Sequence, residues 1–256
     1  MKRCLCFLLV AIALTASRSE ALPVLQLDMR NGFYDSGTQT IEATGDTFTV
    51  YALLTLKPGM DVAGWLADTY YVTVALTPQV NTPSSLGSFQ FAGTNVPVTD
   101  GMTYGTPPKD SIPGLGGQLG SNNVYPTYYR EFAFQFSPLN QVLSYDSALR
   151  PGGPGALGSP DYADYQTYVA TFTGDASLLA QGYDLHFDLY NTYVALCGRN
   201  YTPDCTNINV DQYAPFDHDA QTARANGIAS MPEPASALCL LTGVTLAGFT
   251  RRRRQD

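Results

Sequence analysis

Four stretches of this chain alternate apolar with polar or small side chains at period two, and only a pleated strand puts such a series on one face. Phe48, Val50, Ala52, Leu54 and Leu56 interleave with Thr47, Thr49, Tyr51, Leu53 and Thr55. Tyr70, Val72, Val74 and Leu76 alternate in the same way with Tyr71, Thr73, Ala75 and Thr77. From Arg130 to Phe136 the series sets Phe132, Phe134 and Phe136 against Glu131, Ala133 and Gln135, and from Tyr183 to Tyr190 it turns Tyr183, Leu185, Phe187 and Leu189 inward. The usual surface helix formers are almost missing between residues 22 and 231, where lysine occurs only at 57 and 109 and glutamate only at 42 and 131. The expected fold is therefore all-β, an antiparallel β-sandwich of jelly-roll-like form that fills residues 22–222 as one domain. Single helical turns are expected at 61–68, from the spacing of Val62, Trp65 and Leu66, and at 175–181.

Two segments read as long surface loops. Residues 105–126 hold nine glycines and prolines, and residues 150–160 hold seven. Such composition favours turns over a packed core. Tyr125, Tyr128 and Tyr129, beside the first loop, have faces suited to stacking on sugar rings and equally to packing a sheet edge.

Both ends of the chain are signals rather than fold. Lys2 and Arg3 precede an apolar core from Cys4 to Ala16, and Ser19 and Ala21 supply the two small residues that a signal peptidase reads. Residues 1–21 are the expected signal peptide, cut after Ala21, with cleavage after Ser17 the lesser option. Residues 22–231 then carry 7 basic and 19 acidic side chains, a net charge of −12. A domain of that sign is repelled by phosphate backbones and anionic membrane surfaces, which excludes nucleic acid as a partner.

At the other end Pro232-Glu233-Pro234 leads into an apolar run, Ala235 to Thr250, that stops at Arg251, Arg252, Arg253 and Arg254. Sixteen helical residues span about 24 Å, short of a hydrocarbon core of about 30 Å, so crossing requires local thinning or snorkelling arginines. Arginines abutting such a segment resist translocation, which places the C-terminus inside and the body outside. This order of parts resembles the PEP-CTERM sorting signal of Gram-negative bacteria that make extracellular polysaccharide. The resemblance implies recognition and cleavage by an exosortase at residues 232–256, after a small, polar stalk at 223–231. Membrane contact is then made only through this C-terminal transmembrane helix, during a passage that ends in the cell envelope or outside the cell.

The body carries a second resemblance. Leu25-Gln26-Leu27-Asp28, Gly32-Phe33-Tyr34-Asp35, Tyr70 to Pro78, Tyr104 to Pro108, His186 to Thr192 and Ala214 to Ala220 are similar to a choice-of-anchor family of exported bacterial domains, of the N type. Such domains share a body and differ in their attachment tails. No enzymatic chemistry is implied.

The exported part keeps two cysteines, Cys197 and Cys205, around a short turn-rich loop. An even pair in an oxidising compartment reads as a disulfide, contributing roughly 2–3 kcal/mol. A two-thiolate metal site is the alternative, with no second thiol pair or nearby histidine to complete it.

Both histidines sit between aspartates. Asp184, His186 and Asp188 share the face of their strand opposite the apolar set, and Asp217, His218 and Asp219 form a second acidic knot. Carboxylates with imidazole suit a transition metal, and carboxylates with carbonyls suit calcium, the favoured ion here because oxygen donors outnumber nitrogen and sulfur. A solvated strand face and an aspartate-capped turn explain the same residues without an ion. The 17 aspartates against 2 glutamates in residues 22–231 fit calcium loops and ion-free turns equally, and no EF-hand or nonapeptide spacing decides between them.

No nucleophile elbow, His-Glu-x-x-His motif, phosphate loop or free cysteine nucleophile is present. The expected protein is a non-enzymatic structural component of the envelope or extracellular matrix, processed by signal peptidase and exosortase. The alternative is a calcium-assisted glycan-binding module that engages extracellular polysaccharide, and a hidden extracellular hydrolase is the minor third reading.

Overall fold

The computed structural model describes residues 22, 24–108, 119, 124–154, 162–196 and 206–224. All lie within the unit Met1–Arg224. Among the described residues, fourteen strands fall into two sheets. The first contains β1 (Leu25–Met29), β4 (Thr47–Leu56), β11 (Gln166–Asp175), β6 (Ser88–Phe91) and β7 (Thr94–Pro97) in that spatial order, with β10 (Gln141–Val142) also on β11. The second runs β2 (Phe33–Asp35), β3 (Thr40–Thr44), β14 (Asp219–Ala223), β12 (Asp184–Leu196), β5 (Tyr70–Thr77), β9 (Thr127–Phe134) and β8 (Thr103–Gly105), with β13 (Thr206–Tyr213) also on β12.

The period-two residues meet where the sheets face each other. Phe48, Val50, Ala52, Leu54 and Leu56 of the first sheet share one core with Tyr70, Val72, Val74, Leu76, Leu185, Phe187 and Leu189 of the second. Aromatic rings join the layers: Phe91 lies 5.5 Å from Phe187 and 4.9 Å, edge-on, from Phe132, while Phe48 lies 5.3 Å from Phe187. Burial of such rings is the main favourable term for a sandwich of this size.

One pairing departs from the antiparallel expectation. β14 runs parallel to β3, with Asp219 opposite Thr40 and Ala223 opposite Thr44, so the second sheet is mixed. Ala223 and Arg224, read from composition as stalk, belong to the folded body. The Arg224 guanidinium donates to Asp46 Oδ1 at 2.8 Å and to the carbonyls of Leu179, Ala180 and Tyr183.

The helical expectations divide. α1 (Val62–Ala67) forms, capped by Asp61, whose side chain accepts from the Gly64 N–H at 3.2 Å. Residues 175–181 form a turn instead, because Asp175 Oδ1 takes the Ser177 N–H and Leu179 bridges to Gly87. Among the described residues no helix is long and apolar enough to cross a membrane.

Part of the outer face of each sheet is covered where the sequence implies solvent. Residues 143–154 lie against β1, and Asp28, on its outer side, is fully buried. Asp28 accepts from the N–H groups of Met29, Gly152 and Gly153 at 2.7, 3.0 and 2.8 Å and from the Tyr145 hydroxyl at 2.7 Å. Burial raises its pKa, and these donors hold the rise in check. Beside it, Gln26 accepts from the N–H of Ser147 at 3.0 Å. On the second sheet Leu119, Val124 and Tyr125 form a small apolar cluster with Ala75, Tyr129 and Tyr190. The end of the glycine and proline loop thus packs, because Leu119, Val124 and Tyr125 supply apolar area.

Candidate functional site

β12 is inserted between β14 and β5, and its alternation puts Leu185, Phe187 and Leu189 in the core and His186, Asp188 and Tyr190 on the outer side. The facing expected from sequence holds, but the face is not solvated. Beneath the Leu119–Val124–Tyr125 cover, His186 is 1% exposed and Asp188 6%. Tyr125, Tyr128 and Tyr129 are buried as well, so none of them offers a ring face to a sugar.

Three of the six histidine and aspartate candidates converge. Pairing of β14 with β12 sets Gln221 opposite His186 and Ala220 opposite Phe187, which brings Asp219 to the same site. His186 Nε2 lies 3.4 Å from Asp188 Oδ1 and 3.7 Å from Asp219 Oδ2, and one ligand atom from each residue falls within 4.8 Å of the others. Tyr125 donates its hydroxyl to the other Asp188 oxygen, Oδ2, at 2.5 Å. Burial and the Asp188 charge push this phenol well above its ordinary pKa, so it stays protonated and remains a donor. Next along the strand, Tyr190 accepts from Thr73 Oγ1 at 3.0 Å and donates to Glu131.

The other three candidates serve elsewhere. Asp184 accepts from Thr222 Oγ1 at 3.2 Å and from the Arg224 N–H at 2.9 Å, which fastens the end of β14. The acidic knot at 217–219 is split by the 3₁₀ turn Phe216–His218, so that Asp217 and His218 face away from Asp219's partners. His218 Nδ1 lies 2.6 Å from Asp217 Oδ1, and its Nε2 lies 3.1 Å from Asp146 Oδ1. Burial pulls the imidazole pKa down, but the bond to Asp146 and the charges of Asp217 and Asp146 carry it above its ordinary value. Burial pushes Asp146 up, and the bond to His218, the His218 charge and the Leu149 and Ala148 N–H groups bring it below the usual carboxylate value.

Sequence reasoning missed Asp146 as the partner of His218. Nothing marks it in Ser144-Tyr145-Asp146-Ser147, since a lone aspartate in a turn is ordinary. It also missed the role of Tyr125, where the cue was the one aromatic residue in a loop rich in glycine and proline. Ala21, Cys197, Cys205, Pro232, Glu233, Pro234 and Arg251 to Arg254 lie outside the described residues. Compared with protein-family models and with curated proteins, the chain matches none.

Proposed function

We propose that this protein is an exported structural component of a Gram-negative cell envelope or extracellular matrix, without enzymatic activity, processed by signal peptidase and then exosortase. The observation that carries the reading is the order of the tail: Pro232-Glu233-Pro234, sixteen apolar or small residues, then Arg251 to Arg254. The folded body is compatible with it. Among the described residues the last strand ends at Ala223, and the Arg224 guanidinium is held by four acceptors, so the described sheet pairing involves no residue beyond 224. The jelly-roll-like, choice-of-anchor character of the body belongs to the same proposal.

The test is the intact mass and location of the native protein in cells with and without the exosortase. Loss of roughly the last 23 residues only where the enzyme is present supports the route, in line with a cut at the Pro-Glu-Pro border of the apolar segment. An identical mass in both strains refutes it.

A second reading, glycan binding, is favoured by one observation. A cleft of about 540 Å³ is lined by Ala43, Phe48 and Gly174 together with Arg30, Asn31, Thr44, Thr47, Thr49 and Thr173, whose hydroxyl, amide and guanidinium groups are suited to sugar hydroxyls and carboxylates. Retention on a glycan array that is lost in Arg30→Ala supports this reading. Retention abolished by chelator adds calcium to it, and no retention on any glycan removes it.

A further inference from the structure

The two histidines meet their carboxylates at different distances. His218 lies 2.6 and 3.1 Å from Asp217 and Asp146, the spacing of direct hydrogen bonds. His186 Nε2 lies 3.4 and 3.7 Å from Asp188 Oδ1 and Asp219 Oδ2, longer than the roughly 2.7–2.9 Å of a charge-assisted bond. Ligands about 2.0–2.1 Å from one tetrahedral ion stand about 3.3 Å apart. The two His186 separations are close to that value, and all three ligand atoms lie within 4.8 Å of one another.

Charge and burial point the same way. His186, Asp188 and Asp219 are 1%, 6% and 1% exposed, so all three donor side chains lie in the interior. Metal coordination is one of the ways a folded interior accommodates carboxylates, and one divalent ion matches the charge of two. The Tyr125 hydroxyl occupies Asp188 Oδ2 and leaves Oδ1 turned toward His186, the kind of outer hydrogen bond that fixes a ligating carboxylate.

We propose that His186 Nε2, Asp188 Oδ1 and Asp219 Oδ2 hold one divalent transition-metal ion of the zinc type. One nitrogen and two carboxylate oxygens in a buried site suit zinc, whereas calcium takes about six to eight oxygens at longer range. With three protein ligands, a fourth position falls to water. The ion ties β12 to β14, the strand pair at the centre of the second sheet, and its role is structural. This inference stands apart from the sorting route, because its test reads metal and not processing.

The test uses the intact, tag-free chain, purified without chelator and dialysed against metal-free buffer before and after exposure to zinc. Wild type is expected to retain about one zinc per chain, and chelator to lower the thermal midpoint by roughly 5 °C or more. His186→Ala and Asp219→Asn lose the ion, while His218→Gln, outside the cluster, keeps it. The chain has only two histidines, so ¹⁵N imidazole spectra resolve the site: zinc shifts the His186 ring and leaves His218 unmoved. If His186→Ala does not fold, cobalt substitution of wild type decides, since a site of this geometry gives intense visible bands. Absence of retained zinc in wild type, equal retention by folded His186→Ala, calcium held in preference to zinc, or a cobalt complex without those bands each overturns the proposal.

Discussion

Replacing Asp28 by alanine should release the segment 143–154 from the outer face of the first sheet. The carboxylate is buried and takes four hydrogen bonds of 2.7–3.0 Å, from the N–H groups of Met29, Gly152 and Gly153 and from the Tyr145 hydroxyl. Three of these donors are backbone groups that cannot turn away, and each buried N–H left without an acceptor costs about 1–3 kcal/mol. Two effects reduce the sum: the mutant no longer buries a carboxylate, and water can enter the space it leaves. The net loss worked from these terms is about 2–4 kcal/mol, or roughly 5–12 °C in Tm for a domain of this size. Tyr145→Phe removes one donor and leaves the carboxylate three others, so it should cost about 1–2 kcal/mol. Urea unfolding gives the global loss, and amide hydrogen exchange at Gly152 and Gly153 tells whether the segment has lifted. A loss under about 1 kcal/mol for Asp28→Ala, with both glycine amides still protected, would refute the claim that this carboxylate pins the loop.

Three further outcomes follow from other contacts. The His218–Asp146 pair makes stability depend on pH at both ends: the raised His218 contribution is complete below the free-imidazole value of about 6.5 and is lost as pH rises through the folded value. The lowered Asp146 contribution is complete above about 3.9 and is lost as pH falls through its folded value. Urea midpoints from pH 5 to 9 should therefore decline on the alkaline side in wild type and be flatter there in His218→Gln; parallel profiles would count against the pair. Arg224→Ala should cost about 1–2 kcal/mol, chiefly from the three carbonyls it holds, because its partner Asp46 is half exposed and that ion pair is screened. Asp46→Asn should accordingly cost much less, and equal losses in the two variants would reverse this assignment. Gly174→Ala places a Cβ 2.2 Å from Phe48 Cζ and 3.0 Å from the Gln90 carbonyl, and the forced shift of that core ring should lower stability by about 1–3 kcal/mol in thermal unfolding. An unchanged Tm would mean that Phe48 has room to move.

The inner core was legible because alternation reports it directly: Phe48, Val50, Ala52, Leu54, Leu56, Tyr70, Val72, Val74 and Leu76 all lie in the shared core. The outer faces were not. Gln26 and Asp28 alternate with Leu25, Leu27 and Met29 as on any half-exposed strand, yet both are fully buried, because a distant segment brings N–H and hydroxyl donors to them. Alternation says which side of a strand a residue takes and nothing about what covers that side. The same gap explains the site. His186 and Asp188 are two apart on one strand and could be paired by inspection, whereas Asp219 joins them only through the register of β14. Asp184 and Asp217 look equivalent to these in sequence and are drawn elsewhere by Thr222, Arg224 and His218.

The parallel contact between β3 and β14 also sets an order of events. β3 has two neighbours, β2 and β14, so the β2–β3 hairpin joins the rest of its sheet through residues 219–223 alone. A chain that emerges N-terminus first displays that hairpin with an open edge until nearly all of the body has come through, and such an edge is a template for pairing with other chains. Premature termination at residue 218 would thus leave a product whose β2–β3 hairpin has no sheet neighbour to close against, and its hazard would be self-association rather than simple loss of a C-terminal strand.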